Sequence, residues 1–228
     1  VIDNAKVSRI VDACTSDTDL KATEAARILF ENGTDVYKIT NLLSAGLMGI
    51  EKNRKVVPTR WAITATDDML CSSYKAEVLQ LPALPEFEVF CDTLHGNTLC
   101  FILIPSNDWR FEMIERWQKK SLWADDEETI IIDGEKGKTK REYSPIGGAY
   151  YAARLAVLEY LHRRRCCARV ICIRDISGEY WAPLGVWVIR EASHAALAEE
   201  PKRFGTLSEA VSAASVLLDT SFWIPRMG

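Results

Sequence analysis

Arg60 sits among Thr59, Thr64 and Thr66 in the stretch VVPTRWAITATDDML, residues 56–70. A guanidinium makes a forked, charge-assisted contact with two phosphate oxygens, and hydroxyls beside it add donors without adding charge. Read as a strand, the stretch alternates, with Val57, Thr59, Trp61 and Ile63 on one face and Arg60, Thr64 and Thr66 on the other. Lys52, Arg54 and Lys55 extend the positive charge upstream. The plainer alternative is that Arg60 pairs with an acid and the threonines only favour strand geometry. Asp67 and Asp68 close the stretch. Carboxylates hold magnesium or manganese in phosphoryl-transfer sites, and Asp133, Glu135 and Glu191 are further candidate ligands. At a helix start, Thr66 or Asp67 equally caps free amides, which needs no metal.

A second constellation lies in SPIGGAYYAARLAVLEYL, residues 144–161. Gly147 and Gly148 stand where a helix begins, so a phosphate can approach unpaired backbone amides there. Arg154 falls within the apolar arc formed with Tyr150, Tyr151, Val157 and Leu158. A buried guanidinium is costly alone, so it must meet a carboxylate or face a polar cleft. Tyr180 and Trp181, in the loop-like SGEYWAP, offer surfaces on which an unpaired base can stack.

The elements that must position these groups follow from periodicity and breakers. Val7, Ile10, Val11 and Cys14 recur at helical spacing, DLKATEAARILFENG predicts a helix ended by Gly33, and DVYKITNLLSAGLMG predicts another. A helix follows Asp67 in DDMLCSSYKAEVLQL and stops at LPALPE. EFEVFCD and TLCFILIP flank the turn TLHGN, a central hairpin whose second strand is buried on both faces. WRFEMIERWQKK reads as a helix, TIIID as a strand, residues 149–165 as the strongest helix, RVICIRD and VWVIRE as strands, and two helices close the chain. This order predicts an α+β, or mixed α/β, fold. Its central mixed, largely antiparallel sheet is flanked by helices, with a helical subregion at residues 1–50 and a mixed core at 51–228, expected to form one integrated domain.

Composition narrows the function. A net charge of −4 over 228 residues argues against a surface that grips nucleic acid everywhere. Local basic runs do occur: Lys52–Lys55 with Arg60; Lys136, Lys138, Lys140 and Arg141; and Arg163, Arg164, Arg165 and Arg169. The acidic run Asp125–Glu128 opposes them, and each run is also what a solvated face looks like. Seven scattered cysteines have neither zinc-ligand spacing nor a disulfide framework, which points to a reducing cytoplasm. No apolar run reaches the roughly 20 residues of a membrane span. The chain begins without methionine, so upstream sequence is expected to be missing.

ENGTDVYKITNLLSAGLMG, KVVPTRWAITATDD, SPIGGAYYAARLAVLEYL and EYWAPLGVWVIRE, in this order, closely resemble the archaeal Nre-type DNA repair proteins. Pro58, Thr59, Arg60, Trp61, Thr64, Asp67, Gly147, Gly148, Tyr150, Tyr151, Arg154, Trp181, Arg190 and Glu191 occupy the family's motif positions. The resemblance implies an archaeal cytoplasmic protein of DNA damage repair, linked in many members to the replication sliding clamp by a short C-terminal peptide. Two features depart from the family: no cysteine cluster of zinc-finger type is present, so zinc is not expected, and the tail SVLLDTSFWIPRMG has Val216 and Asp219 where a clamp-binding peptide carries glutamine and an aliphatic residue. The tail reads instead as a helix burying Val216 and Leu217 or Leu218, followed by an aromatic anchor. The leading expectation is a repair factor that binds DNA in a cleft lined by Lys52, Arg54, Lys55, Thr59, Arg60, Thr64, Gly147, Gly148, Arg154, Tyr180 and Trp181. The rivals are a magnesium- or manganese-dependent nuclease or phosphoryl-transfer enzyme using Asp67, Asp68 and Glu191, and a non-catalytic adaptor.

Overall fold

The computed structural model describes residues 8–124, 126–137, 140, 142–181 and 184–227. Val7, Asp125, Lys138 and Arg141, all named above, lie outside these residues. The chain divides into two compact units, Val1–Ser73 and Tyr74–Gly228.

The first unit is helical. Helix α1 (Arg9–Ser16) buries Val11 and Cys14, α2 (Ala22–Glu31) buries Ala25, Ala26 and Leu29, and α3 (Val36–Ser44) buries Val36 and Ile39. Asp35 caps α3 by accepting from the Tyr37 amide, and Gly33 supplies the positive φ of +77° that turns the chain out of α2. The stretch expected as a strand is the opposite. Thr59–Val78 forms one helix, α4, whose division between the units falls after Ser73. Pro58 starts it, its carbonyl accepting from the amides of Trp61 and Ala62. The β-branched residues obscured a helical burial pattern, with Ala62, Thr66 and Leu70 along one row and Asp67, Cys71, Lys75 and Val78 along the next. Thr66 and Asp67 are therefore mid-helix residues, not caps.

The second unit is built on a six-stranded sheet in the order β4-β3-β5-β2-β1-β6. Strands β1 (Phe87–Leu94) and β2 (Asn97–Pro105) form the expected hairpin, closed by His95 and Gly96 at φ +49° and +73°. Positive φ at both central residues matches the right-handed twist of the flanking strands. A side chain at Gly96 would also press within 2.6 Å of the Tyr180 amide nitrogen. Strand β2 is buried on both faces, and its two edges are paired with β1 and β5 (Ala168–Ile176).

WRFEMIERW, expected as a helix, is strand β3 (Arg110–Trp117). Its apolar alternation is broken by Glu112 and Glu115, whose charge disguises a strand buried on both faces. β3 runs antiparallel to β4 (Thr129–Lys136) and parallel to β5, and every other pairing in the sheet is antiparallel. Opposed ion pairs fix the parallel register. Glu115 faces Arg174 at 2.5 Å on one side of the sheet, and Arg116 grips Asp175 through two hydrogen bonds of 2.8 and 2.7 Å on the other. The carbonyl of the Asn97 side chain accepts two further bonds from the Arg174 guanidinium, and Trp117 donates its indole N–H to Glu115.

Helix α5 (Gly148–Arg164) is buried from Ala149 to Leu158, in keeping with its lack of a polar face. It packs against α6 (Val186–Ala198). VWVIRE, expected as a strand, opens that helix: Val188, Ala192 and Ala196 fall four apart, as do Ile189, Ser193 and Leu197, and all are buried. A short strand β6 (Lys202–Phe204) pairs with β1, and α7 (Leu207–Leu218) lies over β1, β2 and β6. Leu218 is buried as expected, but Val216 is 80% exposed. Trp223 is the anchor of the tail, fully enclosed among Val89, Cys100, Ile102, Ile114, Ile171 and Ile173. Among the described residues no helix is long and apolar enough to cross a membrane.

Replacing Arg174 with alanine strands the Glu115 carboxylate in the interior. The expected loss is about 3–5 kcal/mol of unfolding free energy in urea denaturation, and Glu115→Gln in the same chain should recover part of it.

Candidate functional site

The two sequence constellations fall in different units and are described separately. In the first, the basic loop is tied to the helix ends around it. Arg54 donates to the Gly49 carbonyl (2.7 Å), the Thr15 carbonyl (2.7 Å) and the Asp17 carbonyl, so its cation neutralises the C-terminal end of α1. Arg54 is thus a structural cap in this conformation rather than an open phosphate ligand. Ser44 bonds both the carbonyl and the amide of Val57, which positions Pro58 and the start of α4. Lys52, Lys55, Thr59 and Arg60 face solvent. One turn of helix separates Arg60 from Thr64, which places both on the same side of α4, but Thr64 is buried, as are Thr66 and Asp67. Asp68 is exposed.

In the second unit, Arg154 is 1% exposed and meets Glu135 at 2.5 Å. Glu135 also accepts from Lys75 at 2.8 Å and from the Trp109 indole N–H at 3.0 Å. Burial alone would raise the Glu135 pKa, but the charges of Arg154 and Lys75, with the hydrogen bonds from Lys75 and Trp109, hold it below its ordinary value. Asp133, on the same face of β4, pairs with Lys140 at 2.7 Å, and the Lys140 ammonium stands 4.9 Å from the Tyr150 ring centre. Tyr150 is fully buried, and its hydroxyl pKa is raised by that burial and by Glu135. Asp133 and Glu135, two of the acids considered as metal ligands, therefore engage cations. Among the described residues no group of three or more His, Cys, Asp or Glu side chains could hold a metal ion.

The start of α5 is shaped by a tight turn. Ser144 accepts from the Gly147 amide through its carbonyl and from the Ile146 amide through its hydroxyl, while its own amide donates to the Tyr151 hydroxyl. Gly147 then adopts φ +72° as the N-cap, with no side-chain cap on the helix. α6 begins the same way, from Gly185 at φ +78°, again without a side-chain cap. The two starts touch: a side chain at Gly148 would collide with Val186. Two sets of helix-start amides and two positive dipole ends are thereby held together. Exposed aromatics occur in the same segments, with Tyr143 at 66%, Trp181 at 81% and Trp187 at 43%. Tyr180, paired with Trp181 in the sequence reading, is buried against Trp117 and accepts from the Leu184 amide through its hydroxyl. Glu191 is exposed on α6. The second start, at Gly185, was hidden because VWVIRE reads as a strand. The run of strong helix formers behind it, Ala192, Ala195, Ala196, Leu197 and Ala198, was the signal that marks a helix there.

The sequence matches the pattern "Archaeal Nre, N-terminal" over residues 1–124 and "Archaeal Nre, C-terminal" over residues 135–227. The chain belongs to the archaeal Nre family. It is 39% identical over 221 residues to DNA repair protein NreA of Archaeoglobus fulgidus, covering 97% of this chain and 56% of that one. To NreA of Haloferax volcanii it is 36% identical over 223 residues, covering 96% and 53%, and to DNA repair protein NreB of A. fulgidus 37% identical over 221 residues, covering 96% and 56%. The chain thus spans a little over half the length of these Nre relatives. No solved structure matches it.

The buried charge cluster gives a pH signature. Because the Glu135 pKa is depressed in the fold, its contribution is complete above the ordinary carboxylate value near pH 4.3 and is lost as pH falls through the folded value. Glu135→Gln should cost about 3–5 kcal/mol at pH 7, and the stability of the variant should decline less between roughly pH 5 and pH 3 than that of the parent. Gly148→Ala should lower stability by forcing α5 from α6, and adding Val186→Ala should restore much of the loss, both read from thermal unfolding.

Proposed function

We propose that this chain serves DNA repair by binding nucleic acid at the joined starts of α5 and α6. The observation that carries this reading is the contact of two glycine-led helix starts without side-chain caps, with the exposed Trp181 four residues ahead of Gly185 in the sequence. Phosphate is the ligand for which paired helix-start amides are suited, and an exposed indole supplies a stacking face for a base. The names of the Nre relatives, all DNA repair proteins, agree with that ligand. Thr59, Arg60, Lys52 and Lys55 are exposed in the first unit and are proposed there, separately, as secondary phosphate contacts.

Arg154 acts in this reading through position: bound to Glu135, it braces the first turns of α5. Seven free thiols fit the cytoplasmic location that goes with the family. The aromatic pair Phe222-Trp223 contributes to the fold, with Trp223 in the core and Phe222 over the Arg116 guanidinium at 4.1 Å. A link to the sliding clamp would therefore run through other sequence.

Fluorescence anisotropy with single-stranded and duplex oligonucleotides at low and moderate salt tests the reading. Binding should weaken steeply with salt, and Trp181→Ala should lower affinity for the single strand about 5- to 100-fold, the loss expected for one stacked base. A folded parent protein that ignores DNA at low salt would favour the adaptor role instead.

A further inference from the structure

Two basic runs that are far apart in the sequence meet on the sheet, and β3 joins them. Arg110 lies opposite Lys136 on β4 and opposite Arg169 on β5, so the register sets Lys136, Arg110 and Arg169 side by side across three neighbouring strands. Directly paired residues point to the same side of a sheet. The row therefore shares the face that holds Ile114, Ile171 and Ile173, at the end away from Arg116 and Asp175. Helix α7 covers β1, β2 and β6 on that face, and the cations lie on the other three strands. They are open to solvent: the side chains of Arg110 and Arg169 are 40% and 49% exposed, and Lys136 is exposed.

Like charges directly opposite one another oppose strand pairing, so a row of this kind works against the sheet unless an anion offsets it. The local acids do so incompletely. Glu112 reaches Arg110 only at 3.4 Å, Arg169 meets Asp108 at 3.6 Å with that carboxylate 83% exposed, and Lys136 has no ion pair among the described residues. Strands are spaced about 4.8 Å apart, so the row spans roughly 10 Å. Consecutive phosphates of one strand rise about 3.4 Å along the duplex axis and also turn around it, so the three long side chains of the row reach about two or three of them. A row with two arginines suits a regular polyanion, because forked guanidiniums contact successive phosphates without reading sequence.

We infer that Lys136, Arg110 and Arg169 form a track for the phosphate backbone of DNA at the exposed end of β3, β4 and β5. It rests on the reading of this chain as a DNA-binding protein and adds to it a second surface, one that supplies affinity rather than base contact.

The test is a salt titration of duplex binding by anisotropy, comparing the parent chain with the triple variant Arg110→Gln, Lys136→Gln, Arg169→Gln. The variant should bind about 10- to 100-fold more weakly at low salt, and its slope of log affinity against log salt should be shallower by about 2 to 3, near 0.9 for each phosphate left without its cation. The charge-conserving variant Arg110→Lys, Lys136→Arg, Arg169→Lys should keep the parent slope, and cooperative thermal unfolding of both variants confirms that they fold. A parent that binds DNA while the folded triple variant keeps the same slope overturns the track and leaves the function above standing. A parent without DNA binding overturns both. Row-dependent capture of anionic lipid vesicles, with DNA binding unaffected by the triple variant, would also overturn the track.

Discussion

The parallel pairing of β3 with β5 is the constraint on which the second unit depends. It joins the β1–β2 hairpin to the β3–β4 edge, and ion pairs on both faces set its register, Glu115 with Arg174 and Arg116 with Asp175. A slip by one residue would turn every side chain of β3 to the opposite face and bring Glu115 beside Asp175 or Ile173. Buried pairs of this kind add little net stability over apolar packing, and their value here is to exclude the wrong alignment. The same register fixes Arg110 beside Arg169, so the alignment that satisfies charge inside the sheet concentrates it at one end.

The hairpin, α1 to α3 and α5 were legible because each agrees with its own local signal. EFEVFCD and TLCFILIP are apolar runs around a glycine turn, and GAYYAARLAVLEYL is too long and too uniformly apolar to be anything but a buried helix. Three elements were misread, each for a different reason. Around the start of α4 the β-branched Val56 and Val57 before it and Thr59, Ile63, Thr64 and Thr66 within it suggested an extended chain, although burial follows a row four residues apart. In β3 the charges that look solvated are neutralised by residues of β5 distant in sequence. In α6 the strand-like VWVI is carried into a helix by the alanine-rich residues behind it.

The chemistry was legible to a similar degree. That Arg154 needs an acid follows from its place in an apolar arc, but that the acid is Glu135, shared with Lys75 and Trp109, depends on β4 lying beside β3. Arg54 carried the same charge as its neighbours in EKNRK, and nothing local distinguishes it as the residue that closes the end of α1. Tyr180 and Trp181 are adjacent and alike in type, yet the turn at Gly96 draws one inside and leaves the other in water. Composition gave the number of cations, and topology decided which of them stand together.

Helix α5 gives water no side along its first three turns. An element enclosed in this way cannot loosen by itself, so its amides beyond the first turn exchange with solvent only when the whole unit opens. Its first turn is the mouth of a stiff rod rather than the tip of a loop. Anything that docks there meets geometry already set, and little ordering entropy is spent on the protein side of the encounter.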